Sequence, residues 1–244
     1  MVRTKLISIN LQIKEEVDAF SKGMFYALFD PSRLEELKDM FVQLAAVFSP
    51  KRGIEIWNLF QSRLESIQEL VALDAVSIEA NDPAARSLEE VYLAYPGFQA
   101  TVYYRLSHEL WKLGLPILPR MISEYAHGLT GVDIHPGAKI GRSFFIDHAT
   151  GIVIGETAEI GNEVKIYQGV TLGSLQVKKS MSSQKRHPSI GDRVTIYANA
   201  TILGGETIVG NNTIIGANVW ITQSIPSDAK VYHEHTAKVV VKKN

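Results

Sequence analysis

Two short stretches of this 244-residue chain hold side chains that could do chemistry. "IDHATG", residues 146–151, sets Asp147 beside His148, and "KRHP", residues 185–188, sets Arg186 beside His187. Histidine is the side chain whose ordinary pKa lies near neutrality, so it suits removal of a proton from a hydroxyl that is inert at pH 7. Such a base works best when a carboxylate holds its second nitrogen in one tautomer and stabilises the imidazolium. An arginine can grip a carboxylate through two parallel N–H bonds, and further Asp residues can take an ammonium group. A base, an Arg and spare carboxylates describe a site for a small zwitterion that carries a hydroxyl. The bland alternative for His148 alone is a structural imidazole bonded to a carbonyl.

Metal chemistry is the rival reading. Zinc would need converging ligands, but His135, His148 and His187 are 13 and 39 residues apart and there is no cysteine to substitute. His233 and His235 read as solvated residues of a polar tail. No metal is expected. The absence of cysteine also excludes disulfides and a thiol nucleophile. A net charge of −1 gives no global argument for nucleic acid or an anionic membrane. No apolar run approaches the roughly 20 residues of a membrane span. The N-terminal stretch lacks the apolar core and cleavage site of a signal peptide, so the expectation is a cytoplasmic protein.

The elements that must position these residues follow two periodicities. Residues 1–130 read as an α-helical domain. Asp30 and Pro31 open "DPSRLEELKDMFVQLAAVF" as N-cap and N1, and the long pattern from Gly53 continues over several turns. Ser87 and Glu90 have the spacing of a capping box. A last helix follows Pro119 and stops near Gly128 to Gly131. The aromatic stripe Tyr95, Phe98, Tyr103, Tyr104 and Trp111 reads as helix-packing core.

After Gly131, Ile134, Ile140, Ile146 and Ile152 recur every six residues. After a two-residue shift Ile154, Ile160, Ile166 and Leu172 do the same, and the rhythm runs on to Ile221. A six-residue period suits neither a helix nor a hairpin meander, but it does suit a parallel β-helix of hexapeptides, three to a triangular coil. Alternation then sends Asp147 outward and His148 inward, unless His148 lies at a corner. The expected fold is α+β: the helical domain, a β-helix over 131–226 with a basic loop extruded at 174–188, and a C-terminal tail, 227–244. Loops extruded from rigid solenoids are typical places for function.

"DIHPGAKIG", "DHATGIVIGETAEIG", "VTLG" and "RHPSIGDRV" resemble the serine O-acetyltransferases, hexapeptide-repeat enzymes that make O-acetylserine from L-serine and acetyl-CoA for cysteine synthesis. The likeness runs from about Asn81 to Pro226. It implies a left-handed β-helix, His148 as general base on the serine hydroxyl and Asp133 as its orienting partner. It implies that Arg186 and His187 hold the serine, and that Asp82 and Asp147 take its ammonium. The positions matching the pantetheine contacts are Gly173, Ala198 and Ala217, and Lys178, Lys179 and Lys185 could meet coenzyme A phosphates. Acetyl-CoA is then a co-substrate, with no permanently bound cofactor, and the assembly a homotrimer or a hexamer of paired trimers. The chain lacks the Gly-rich loop common after "VTLG". It also lacks the terminal Ile by which family members dock into O-acetylserine sulfhydrylase, which argues against that partner. Homoserine or another small hydroxyl acceptor, and a non-catalytic solenoid platform, are the alternatives.

Overall fold

The computed structural model describes residues 12–49, 52–175 and 184–234. Helices come first: α1 (Gln12–Phe29), α2 (Leu34–Phe48), α3 (Gly53–Gln61), α4 (Leu64–Asn81), α5 (Leu88–Ala94), α6 (Pro96–Lys112) and α7 (Leu118–Thr130). Asp30 caps a short 3₁₀ turn, Pro31–Arg33, that precedes α2, and its carboxylate accepts from Ser32 N. The pattern read as one long run from Gly53 divides at Ser62 and Arg63 into α3 and α4. Ser87 caps α5 by accepting from Glu90 N, while Glu90 reaches back to Arg86 N, one residue before the cap. Gly131, at φ +74°, ends α7 in the left-handed conformation that glycine adopts without penalty. Phe20, Phe41, Trp57, Phe60 and Phe98 fill the core between these helices.

From Asp133 the chain winds as a left-handed parallel β-helix. Its first face stacks β1 (Asp133–Ile134), β4 (Val153–Ile154), β7 (Thr171–Gly173), β10 (Thr201–Leu203) and β13 (Trp220–Ile221). The second stacks β2 (Lys139–Ile140), β5 (Glu159–Ile160), β8 (Ser189–Ile190) and β11 (Ile208–Val209). The third stacks β3 (Phe145–Ile146), β6 (Lys165–Ile166), β9 (Thr195–Ile196), β12 (Ile214–Ile215) and β14 (Lys230–Val231). In most strands the aliphatic residue of the pair is buried and its neighbour faces out, which is the period-two consequence of the pleat. The strand at Lys230 lies inside the stretch read as tail, so the solenoid runs past Pro226. The ring of His233, read as solvated, lies 3.1 Å from Asn218 O, and His235 is outside the described residues.

Two departures from the hexad matter for function. Val153 to Thr171 advances one coil in 18 residues, whereas Asp133 to Val153 takes 20. The surplus falls between Ile146 and Ile154, in the turn that carries His148. Glu159 to Ser189 takes 30 residues, yet the two pair directly. The basic segment therefore adds no coil between β5 and β8, and its residues 176–183 lie outside those described.

The helices dock on the first coil. Phe145, an outward residue of the third face, is buried in the helical core, and Ala100 and Tyr104 of α6 close the top of the prism core. A Cβ on Gly97 would lie 2.4 Å from Ile146 O, so α6 rests on β3 backbone to backbone. The buried Asp74 carboxylate accepts from Arg105 Nε (2.6 Å), Arg105 Nη2 (2.9 Å) and Phe144 N (2.8 Å), and Arg105 also donates to Ile140 O and Gly141 O. One ion pair thus ties α4 and α6 to the first coil.

Candidate active site

The turn 147–152 lies on the edge between the third and first faces, called here the first edge. His148 and Ala149 have φ of 56° and 65°, the one place among the described residues where two successive non-glycine residues are left-handed. Each such residue costs about 1–3 kcal/mol and persists only where the surroundings impose it. Here the turn must absorb two surplus residues while Ile146 and Ile154 keep their inward places, and Ala149 packs inward with them. His148 lies at a corner, the stated exception to inward alternation: its side chain is 69% exposed and its Nε2 lies 3.7 Å from Asp147 Oδ2, a carboxylate only 17% exposed.

Asp82 reaches the same edge from the C-terminus of α4. One of its oxygens accepts from Ala84 N at 2.8 Å and the other from the Tyr95 hydroxyl at 2.6 Å. The Tyr95 bond, then the backbone bond, hold the Asp82 carboxyl below the usual carboxylate range, with the nearby His148 adding to the effect. The same bond pushes the Tyr95 hydroxyl up to about 12. Tyr167 and Tyr197, stacked with centroids 5.1 Å apart, continue the edge into the next coils. Of the aromatic stripe read as core, Phe98, Tyr103 and Tyr104 are buried as expected. Tyr95 is partly buried against that core and bonds Asp82 through its hydroxyl, while Trp111, 37% exposed, stands edge-on to His135. Only the Pro after Tyr95, which holds that residue extended at a helix junction, hinted that it leaves the stripe.

Arg186 and His187 lie on the second edge, between the first and second faces. His187 is buried, and its Nδ1 accepts from Thr157 N at 3.1 Å, which leaves the proton of a neutral ring on Nε2. Burial first, and Arg186 second, push its pKa down to about 4. A Cβ on Gly155 would sit 2.1 Å from the His187 ring, so that glycine provides the ring's seat. Arg186 pairs with Glu156, and Thr157 Oγ1 accepts from both Arg186 N and His187 N. His135, whose spacing argued only against a metal, joins this group; burial lowers its pKa and its Nδ1 accepts from Gly137 N. Asp133 faces out from the first face, and its carboxylate lies 3.4 Å from Arg120 Nη1. Asp133, two residues before His135, acts on that ring's charge, as does Arg186.

The expected residues therefore fall into two sets at opposite ends of the first face. Six residues at about 3.3 Å each put those ends roughly 15–20 Å apart. Ala198 and Ala217 lie on the first edge one coil apart, with Asn218 N donating to Ala198 O, whereas Gly173 closes β7 toward the second edge. A cleft of about 610 Å³ follows the second edge, lined by Ser174, Leu175, Arg186, Gly204, Gly205 and Thr222 among others. Lys185 donates to Thr157 O from its rim, while Lys178 and Lys179 lie outside the described residues. Among the described residues one group, Glu124, His127 and Asp133, has metal-ligand spacing. Arg120 pairs with both of its carboxylates, which puts a fixed positive charge where a cation would sit.

No family model matches the sequence. A curated plasmid serine acetyltransferase of Synechococcus elongatus is 48% identical over 178 residues, 71% of this chain and 56% of that protein. The chain thus spans about half the length of this relative. The structure of serine acetyltransferase isoform 3 of Entamoeba histolytica, in complex with cysteine, superposes with a TM-score of 0.82 at 37% identity, covering 93% of this chain and 84% of that one. The Neisseria gonorrhoeae serine acetyltransferase in complex with serine superposes at 0.67 and 31% identity, covering 91% and 93%.

Proposed function

The chain belongs to the serine acetyltransferase family, and from that premise we propose that it transfers acetyl from acetyl-CoA to the hydroxyl of L-serine. The observation that carries the reading is the exposed imidazole of His148, held out on a strained two-residue insertion beside Asp147 and within the field of Asp82. His148 takes the hydroxyl proton as the serine oxygen attacks the thioester carbonyl. A C–O bond forms, the C–S bond breaks, and the imidazolium returns its proton to the leaving thiolate. Backbone N–H groups of the edge stabilise the oxyanion between. Asp82 and Asp147 supply two carboxylates for the ammonium.

The acceptor's carboxylate needs Arg186, which lies on the far edge of the same prism. We infer a homotrimer in which the second edge of one copy meets the first edge of the next. Such head-to-tail contacts close into a ring. The first face supports this choice: its outward ladder is Asp133, Val153, Thr171, Thr201 and Trp220, uncharged after its first member and ending in a Trp that is 66% exposed. The second and third faces present Lys139, Glu159, Lys165 and Lys230 beside the exposed Ile208 and Ile214. In that ring Arg186, His187 and Asp133 approach His148 from the neighbouring copy, so Asp133 orients the ring as the resemblance implies. The pantetheine arm runs between Ala198 and Ala217 of one copy and the cleft beyond Gly173 of the next. Pairing of two trimers through their helices gives the hexamer, and the reading places the protein in the cytoplasm.

The test is thiol release from acetyl-CoA. Wild type releases coenzyme A in an L-serine-dependent manner, and His148→Ala lowers kcat by at least about 10²-fold, the low end of general-base catalysis. Equal release by both removes His148 as the base. A homoserine preference above tenfold reassigns the acceptor, and no release with any hydroxyl acceptor favours a non-catalytic platform.

A further inference from the structure

The Tyr95 hydroxyl is not among the side chains that the resemblance employs, yet it makes a 2.6 Å bond to Asp82. The bond closes a 13-residue excursion: the chain leaves Asp82 at the end of α4, runs through α5, and returns at Tyr95, the junction of α5 and α6. Both ends are fixed. Asp82 caps α4 through its own N–H to Ile78 O, and Pro96 holds Tyr95 at φ −85°, ψ 114°. With Ala84 N on one oxygen and Tyr95 on the other, the carboxylate has one orientation. Each of its oxygens still has a lone pair to offer. The Tyr95 oxygen, having donated its proton, is also left with acceptor capacity beside Asp82. His148 acts on the charge of Asp82, and Asp147 on that of Tyr95.

We propose that Tyr95 is a positioning residue for the acceptor's amino group. By orienting Asp82 and adding an acceptor beside it, it makes the site selective for amino acids over hydroxy acids that lack the ammonium. This rests on the reading of the site as a serine acetyltransferase centre. An ammonium has three donors, and Asp82, Asp147 and Tyr95 offer one acceptor group to each. The hydroxyl of the acceptor is then left for His148.

Steady-state kinetics of Tyr95→Phe tests the proposal. The expected result is a serine KM raised about tenfold, with kcat and the acetyl-CoA KM within twofold of wild type. Inhibition by 3-hydroxypropanoate, which has no amino group, stays within twofold. In an Asp82→Asn background the same substitution adds less than twofold, because the interaction it removes is already weakened. A mere loop clamp would move the KM of both substrates, or only the melting temperature. A serine KM within twofold of wild type, an equal rise in the acetyl-CoA KM, or full additivity with Asp82→Asn each overturns the proposal. Wild type with no serine-dependent thiol release overturns the functional reading itself, and the two failures are told apart in the same assay.

Discussion

His187, proposed above to hold the acceptor, also has a consequence for stability. Its folded pKa, about 4, lies below the ordinary 6.5, so between those values the unfolded chain binds a proton that the folded ring refuses. The stability this group contributes is whole above pH 6.5 and is lost as pH falls toward 4. Urea unfolding should therefore show a stability that declines from pH 6.5 to pH 4, and His187→Gln should flatten that slope. An unchanged slope in the variant would mean that other groups govern the acid limb. The neutral ring has a second consequence. Its Nε2–H is a donor throughout the physiological range, so His187 is suited to bonding an acceptor oxygen and not to taking a proton. His148, exposed on its own edge, is free for that role.

At the scale of the elements, α4 and α6 matter because they deliver Asp82 and Tyr95 to an edge built by the prism. Asp74, two helical turns before Asp82, fixes that delivery through Arg105 and Phe144 N. Both partners of the pair are at most 4% exposed. Removing one partner of a buried pair leaves the other charge uncompensated and costs about 3–5 kcal/mol. Asp74→Ala should lower the unfolding free energy by that amount in a denaturant titration. A loss under 1 kcal/mol would show that α4 is held by apolar packing alone. The turn at His148 is the complementary device. Two surplus residues lengthen the turn, whose Ala149 packs into the prism core while the imidazole of His148 faces out.

At the scale of the whole molecule, the three faces of the prism differ in what they show to solvent. The second and third faces carry Lys139, Glu159, Lys165 and Lys230 among uncharged residues, while the first face is uncharged after Asp133 and ends in Trp220. An exposed Trp at the centre of a contact is commonly worth about 2 kcal/mol or more, and in a ring the loss repeats at each contact. Light scattering should give three or six times the chain mass for wild type, and a lower multiple for Trp220→Lys, with activity falling in parallel. A variant with wild-type mass and full activity would move the copy-to-copy contact to another face.

Much was legible in the chain itself. The hexad period of Ile134 through Ile221 specified a three-sided coil because inward positions accept only aliphatic side chains, and that constraint is local and repeats. The two-residue shift at Ile152 and the basic break at 174–188 marked both irregular turns, and each carries a histidine. The direction of His148 was not legible, since alternation assigns faces along a flat strand and says nothing about a turn with two left-handed residues. Tyr95 was read as core because helical spacing cannot tell a buried ring from one at a junction that turns back onto Asp82. Nor could spacing show that Asp82, Asp147 and His148 share one edge while Arg186 and His187 lie on the other. Inward packing is decided by each residue's own chemistry, and so it can be read along the chain. Which outward groups meet depends on how coils stack and helices dock, and only the three-dimensional structure contains that.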